Sequence, residues 1–113
     1  MRDFYREVIQ MDVVQDKGSW AILSIPGFEL VIHGIPNEPA ADLSSNALPS
    51  IREDSYLKIC LPVENIAIAR TRAASLGGAI KDPTHEWEDR GVRACDGHDP
   101  EGNVLQVRQA LRE

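Results

Sequence analysis

The sequence predicts an α+β domain built from two similar modules, and three observations carry that prediction. First, Asp99-Pro100-Glu101-Gly102-Asn103 runs into the alternating stretch Val104-Leu105-Gln106-Val107. Proline presets φ for a tight turn, glycine and asparagine tolerate left-handed backbone angles, and apolar residues at period two make the sequel a strand. Second, a helix followed by three strands reappears further along as strand, helix and three strands. Third, 113 residues with 42% apolar composition suit one modest core rather than several. The chain therefore reads as a single domain over 1–113, with module one at about 1–34, a linker at about 35–54 and module two at about 55–113.

Each element has its own cause. Phe4, Val8 and Ile9 recur at helical spacing across residues 2–10, which predicts a short amphipathic helix. A brief strand at 12–15, a turn at Asp16-Lys17-Gly18 and a strand at 19–25 follow, the last rich in β-formers. Pro26-Gly27 turns the chain into Phe28–His33, where Phe28, Leu30 and Ile32 share one face and Glu29, Val31 and His33 the other. Residues 35–54 are rich in Pro, Asn, Ser and Asp without sustained periodicity, the mark of a connection. Residues 55–61 predict a strand with Tyr56, Lys58 and Cys60 on one face. Asn65 is placed to cap a helix running to about Leu76, with Ile66, Ala69, Ala73 and Leu76 as its apolar stripe and Gly77-Gly78 ending it. Strands are predicted at about 79–81, 91–95 and 103–109.

Composition excludes several functions. The net charge is -6 with no basic cluster, which argues against a nucleic-acid phosphate binder. No apolar run approaches the roughly 18 residues that cross a bilayer. The charged start, Met1-Arg2-Asp3-Phe4-Tyr5-Arg6-Glu7, is unlike a secretory signal, so a cytoplasmic, reducing compartment is expected. Cys60 and Cys95 fall in separate strands without metal-type spacing and read as two buried free thiols. There is no phosphate loop, nucleophile elbow or Cys-x-x-Cys. Among the histidines, His98 reads as a turn residue and His85 as a surface residue.

The closing turn and the order of elements resemble the glyoxalase, bleomycin-resistance and extradiol-dioxygenase (vicinal oxygen chelate) superfamily. Asp3-Phe4-Tyr5-Arg6-Glu7-Val8 looks like that family's first helix, Trp20–His33 like its following hairpin, and Val63-Glu64-Asn65 like the start of its second helix. The resemblance implies two βαβββ modules whose curved sheets enclose a ligand cleft. Only Met1 precedes the first helix, so the family's first strand is missing from this chain; either it lies upstream of Met1 or the fold works with seven strands. An open edge beside the cleft would then favour a homodimer.

The resemblance also implies where metal ligands would stand. Glu29 lies near the acidic ligand position of module one, and His33 shares its strand face. The second module's His position falls on Lys58, whose ammonium has no lone pair to offer. The last position, three residues after Asn103, is Gln106 where the family usually has Glu. With Glu29, His33 and Gln106 as weak candidates, no family-type metal is expected. The alternative is a divalent ion such as Zn, Ni, Fe or Mn serving glyoxalase-type lyase or isomerase chemistry on a carbonyl or enediolate.

What remains is a cleft for an organic ligand. Trp20, His33, Tyr56, Lys58, Trp87 and Gln106 are the expected lining, and Arg93 with Arg108 the expected anchor for a carboxylate or phosphate. Trp87 is expected in a loop at the cleft rim. The function so predicted is small-molecule binding of the bleomycin-resistance type; a ligandless interaction module is a further alternative.

Overall fold

The computed structural model describes residues 1–34 and 50–111, so most of the expected linker lies outside the described residues. Module one comprises helix α1 (Arg2–Val8) and strands β1 (Asp12–Asp16), β2 (Trp20–Ile25) and β3 (Phe28–His33). Module two comprises β4 (Ile59–Pro62), helix α2 (Ile66–Ser75), β5 (Ala79–Ile80), a 3-10 turn at Pro83–His85, β6 (Trp87–Asp89), β7 (Val92–His98) and β8 (Val104–Ala110). The α+β architecture and the order of elements are as the sequence predicts, except that module two has four strands after its helix where three are expected.

The strands form two sheets. The first is antiparallel, in the order β1-β2-β3; the second runs β4-β8-β7-β5, with β6 also paired to β7. Strand β4 lies parallel to β8, Cys60 opposite Gln106 and Leu61 opposite Val107. The connection between them runs through α2 and strands β5, β6 and β7, long enough for two neighbours to lie parallel. In module one β3 holds the place of β8, yet among the described residues no strand occupies its outer side.

Local chemistry sets the boundaries. The Asn65 side chain accepts from the Ile68 amide at 3.0 Å, starting α2, and Gly77 at φ 89° receives the chain beyond its last turn. The Gly18 amide donates to Asp16 at 3.1 Å, which tightens the β1-β2 hairpin. One boundary differs: the expected strand at 55–61 begins only at Ile59. Ser55 folds the preceding residues into a turn, its hydroxyl donating to the Leu57 carbonyl at 2.8 Å and accepting from the Leu57 amide at 3.3 Å. One other strand gains length and one is added. Strand β7 continues three residues past the expected end at Cys95, and Trp87 belongs to β6 rather than to a loop.

The core lies between the two helices and the inner faces of the sheets. Phe4, Tyr5 and Val8 of α1 meet Leu23 of β2, while Ile66, Ala69 and Ala73 of α2 lie over Leu61, Leu105 and Val107. The close approach needs glycine at 78, where a Cβ would overlap the Phe4 ring and the His98 carbonyl oxygen.

Asp99 fastens the closing turn to this core. Its carboxylate is fully buried and accepts from the amides of Glu101 and Asn103, both at 3.0 Å, from the Asn103 side-chain amide at 2.9 Å and from the Tyr5 hydroxyl at 2.7 Å. Every donor comes from the turn itself or from α1. A turn that looks local in sequence thus joins the two modules.

Candidate functional site

Residues directly opposite in a ladder share a face, so the register sorts the side chains. In module one Trp20 faces His33, Ile22 faces Val31 and Ser24 faces Glu29. This is the face turned away from α1: Val31 is exposed, whereas Ala21 and Leu23 on the opposite face are buried. In module two the corresponding face carries Cys60 opposite Gln106, Asp96 opposite Gln106, and Arg108 opposite Ala94, which in turn pairs with Trp87. Cys95 and Val107, one residue out of phase, point to α2 and are buried.

A polar row crosses this second face. Lys58 Nζ stands 3.1 Å from Asp96 Oδ2, and Gln106 Nε2 donates to Asp96 Oδ1 at 3.1 Å. Gln106 Oε1 accepts from Arg108 Nε at 2.7 Å and lies 3.6 Å from Cys60 Sγ. Gln106, at 8% exposure, therefore uses both ends of its amide. The reverse orientation would set its NH2 against the Arg108 N–H, so the network fixes the oxygen toward the guanidinium.

The expected site residues do not converge on one cleft. Trp20 and His33 border a cavity of about 410 Å³ at the end of the first sheet, together with Arg2, Asp16 and Glu101. His33 also borders a cavity of about 460 Å³ between the open side of β3 and the chain entering β4, with Tyr5, Leu30, Leu57 and Asn103. Lys58 lines a separate cavity of about 200 Å³. Among the described residues Trp20 and Lys58 thus border different cavities, and Gln106 borders neither of them. The two faces belong to separate sheets, with no ladder between β3 and β4 to merge them.

Four expectations need correction. Arg93 and Arg108 cannot form one anchor, because Arg93 pairs with Gln109 and so lies on the face opposite Arg108. There Arg93 binds Glu88 at 2.9 Å and stands 3.8 Å from Glu86. Tyr56 lies in the turn made by Ser55 and is fully exposed instead of lining a strand face. Trp87 sits at the sheet margin, 40% exposed and opposite Ala94, not in a rim loop. Cys60 is exposed, because its strand face carries no helix; only Cys95 is the buried thiol expected, and burial raises its pKa.

Trp20 is half-buried and outside the hydrophobic core, so packing does not account for it. His98 ends β7 and bonds into the turn that follows, with Nδ1 2.9 Å from the Asp99 carbonyl oxygen. His85 is an exposed surface residue, with Nδ1 3.0 Å from Asp82, the residue that caps the 3-10 turn. Among the described residues no group of three or more His, Cys, Asp or Glu side chains could hold a metal ion.

Two residues of the second face went unnoticed in the sequence, Lys81 and Asp96, and His98, read there as a turn residue, is the last residue of β7 on the same face. A countable signal existed for Asp96. In a hairpin closed at 99–103, His98 opposes Val104, so Asp96 must oppose Gln106.

Comparison with solved structures identifies the fold. A glyoxalase/bleomycin resistance protein from Streptomyces sp. CB03234 superimposes with a TM-score of 0.54 at 22% identity, over 96% of this chain and 87% of that one. TnmS3, an antibiotic binding protein from the same organism, gives 0.53 at 22% identity, over 96% and 83%. The fosfomycin resistance protein FosX from Listeria monocytogenes gives 0.59 at 13% identity, over 96% and 80%. The fold is thus that of the glyoxalase and bleomycin-resistance (vicinal oxygen chelate) proteins. No family model and no curated protein matches the chain by sequence. No described helix is long and apolar enough to cross a membrane.

Proposed function

We propose that the protein binds a small organic molecule on the open face of module two without a metal ion. The observation that carries this reading is the row Lys58-Asp96-Gln106-Arg108. It is a set of charged and amide groups held in fixed orientation on a sheet face with no helix over it. Preorganised polar groups beside apolar surface are what small-molecule sites use. The antibiotic-binding and fosfomycin-resistance proteins that share the fold support a ligand-directed role.

Donor chemistry supports the metal-free part. A divalent ion needs several N or O donors at about 2 Å. Gln106 Oε1 already faces a guanidinium at 2.7 Å, which would repel a cation, and Glu29 and His33 stand on the other sheet. The residues present do not fit the family-type ion. A screen of small organic ligands by thermal shift, with and without chelator, tests the proposal. It expects stabilisation that chelator leaves unchanged, and a ligand that stabilises only with added metal would overturn it.

A homodimer is part of the same proposal. Among the described residues no strand pairs with the outer side of β3, an edge that a second copy would cover. Sizing with light scattering is expected to give twice the chain mass; a monomeric mass contradicts it. A second reading, an interaction module without a ligand, is favoured by one observation: among the described residues Trp20 and Lys58 border different cavities, and Gln106 borders neither of them.

A further inference from the structure

The cavity of about 200 Å³ on module two lies beside the entry to β4, against β5, β7 and β8. Its charged lining is Lys58, Lys81, Asp96 and Glu53, two positive groups and two negative ones, so it carries no net charge in a chain whose formal net charge is -6. Ala79, Val104 and Ile51 give it apolar walls. Both sides are anchored through the backbone. The Lys81 amide donates to the Asp96 carbonyl at 2.9 Å, which continues the ladder of β5 along β7, and the Arg52 amide, between Ile51 and Glu53, donates to the Gly102 carbonyl at 2.8 Å.

The four charges are not equivalent. Lys58 and Asp96 neutralise each other at 3.1 Å, and Gln106 holds the second oxygen of Asp96. Among the described residues Lys81 and Glu53 make no ion pair, so the cavity keeps one uncommitted charge of each sign. His98, also in the lining, adds a lone pair that an ammonium can use. Its Nδ1 stands 2.9 Å from the Asp99 carbonyl oxygen, which can only accept, so in the neutral ring the proton is on Nδ1 and the lone pair on Nε2.

We infer that this cavity binds a small zwitterion of the α-amino-acid type, its carboxylate held by Lys81, its ammonium by Glu53 and a short side chain by the apolar walls. This rests on reading the module-two face as the ligand site and adds the chemical class of the ligand. A ligand of one sign would satisfy one uncommitted group and meet the other as a like charge, and a neutral ligand would desolvate both without a counter-charge. Opposite charges on one small molecule answer both. At about 200 Å³ the cavity is below the roughly 300–1,000 Å³ of drug-sized sites, which limits the side chain to a few carbon atoms.

The test uses the full chain and four probes of one carbon skeleton: 2-aminobutyrate, butyrate, propylamine and butyramide. Binding is followed by two-dimensional NMR titration in a buffer free of phosphate, carboxylate and amine. The zwitterion 2-aminobutyrate is expected to bind at least tenfold more tightly than each of the others, shifting the amides of Lys81, Asp96, Gly97 and His98. Lys81→Met is expected to erase its advantage over propylamine, and Glu53→Gln its advantage over butyrate. Lys81 and Glu53 are exposed, so both variants are expected to retain the wild-type spectrum elsewhere. If butyrate, propylamine or butyramide shifts these amides as strongly as 2-aminobutyrate in the unsubstituted chain, the zwitterion assignment is wrong while the face remains a ligand site. An advantage that survives both substitutions overturns the roles given to Lys81 and Glu53. If no probe shifts the amides but the organic-ligand screen finds a binder elsewhere on the face, the cavity assignment fails and the proposed function stands. If nothing binds by either method, both fail.

Discussion

The Tyr5 hydroxyl donates a 2.7 Å hydrogen bond to Asp99 Oδ2, linking the first helix of module one to the closing turn of module two across 94 residues of chain. Asp99 is wholly buried, so each of its donors replaces water that the carboxylate has lost. Tyr5→Phe removes one of several donors, and the expected loss of stability is about 1–2 kcal/mol by urea denaturation. Asp99→Ala leaves the Tyr5 hydroxyl and both turn amides without their acceptor and is expected to cost more, about 3–5 kcal/mol. Equal costs would show that the carboxylate does not organise the turn.

The same contact gives the protein an alkaline limit. Burial, then the Asp99 carboxylate, push the Tyr5 pKa far above its ordinary value. A group whose pKa is raised on folding contributes stability that is fully present below the unfolded value of about 10 and lost as pH rises beyond it. Absorbance titration is expected to show Tyr5 phenolate only as the chain unfolds, and Tyr5→Phe to remove that component. Phenolate from Tyr5 in the folded protein would contradict the burial argument.

The two thiols are expected to separate by accessibility. Cys60 stands on the uncovered face and should react with a thiol reagent in the native protein, whereas Cys95, at 0% exposure with a raised pKa, should react only on unfolding. Mass spectrometry of the labelled peptides reads the result. Labelling of Cys95 at the native rate of Cys60 would contradict the packing of α2 over β7.

Arg70 ties α2 to the chain between β5 and β6, donating from Nε to the Lys81 carbonyl at 2.8 Å and from Nη2 to Glu86 at 2.6 Å. Both side chains of that pair are four-fifths shielded, so the contact is more than a surface ion pair. Arg70→Met is expected to cost about 1.5–3 kcal/mol and to loosen the β5 end of the small cavity. Hydrogen exchange at Lys81 and Asp96 reads the loosening. Unchanged exchange would mean that the sheet alone holds the cavity wall.

The fold was legible because its punctuation is local. The Asp99–Asn103 turn, the Asn65 cap and the Gly77 terminus each depend on residues a few positions apart, and the structure has them where the sequence puts them. The site was less legible because it depends on which face a strand presents. Arg93 and Arg108 look like partners by type, and only the pairing of Ala94 with Arg108 shows them on opposite faces. Tyr56 looked like a strand residue until Ser55 bent the backbone before it. Asp96 was hidden by its glycine neighbour: Asp-Gly reads as a turn, yet here Gly97 sits mid-strand where a Cβ would overlap the Ala79 carbonyl oxygen.

Gln106 is where the resemblance and the chemistry part. A carboxylate at that position would favour a cation, but an amide whose oxygen faces Arg108 does not. The most direct measurement is the metal content of protein purified without chelator, determined by elemental mass spectrometry. Far less than one Zn, Ni, Fe or Mn per chain is expected in protein that still binds its organic ligand. A stoichiometric ion whose removal abolishes binding would contradict it.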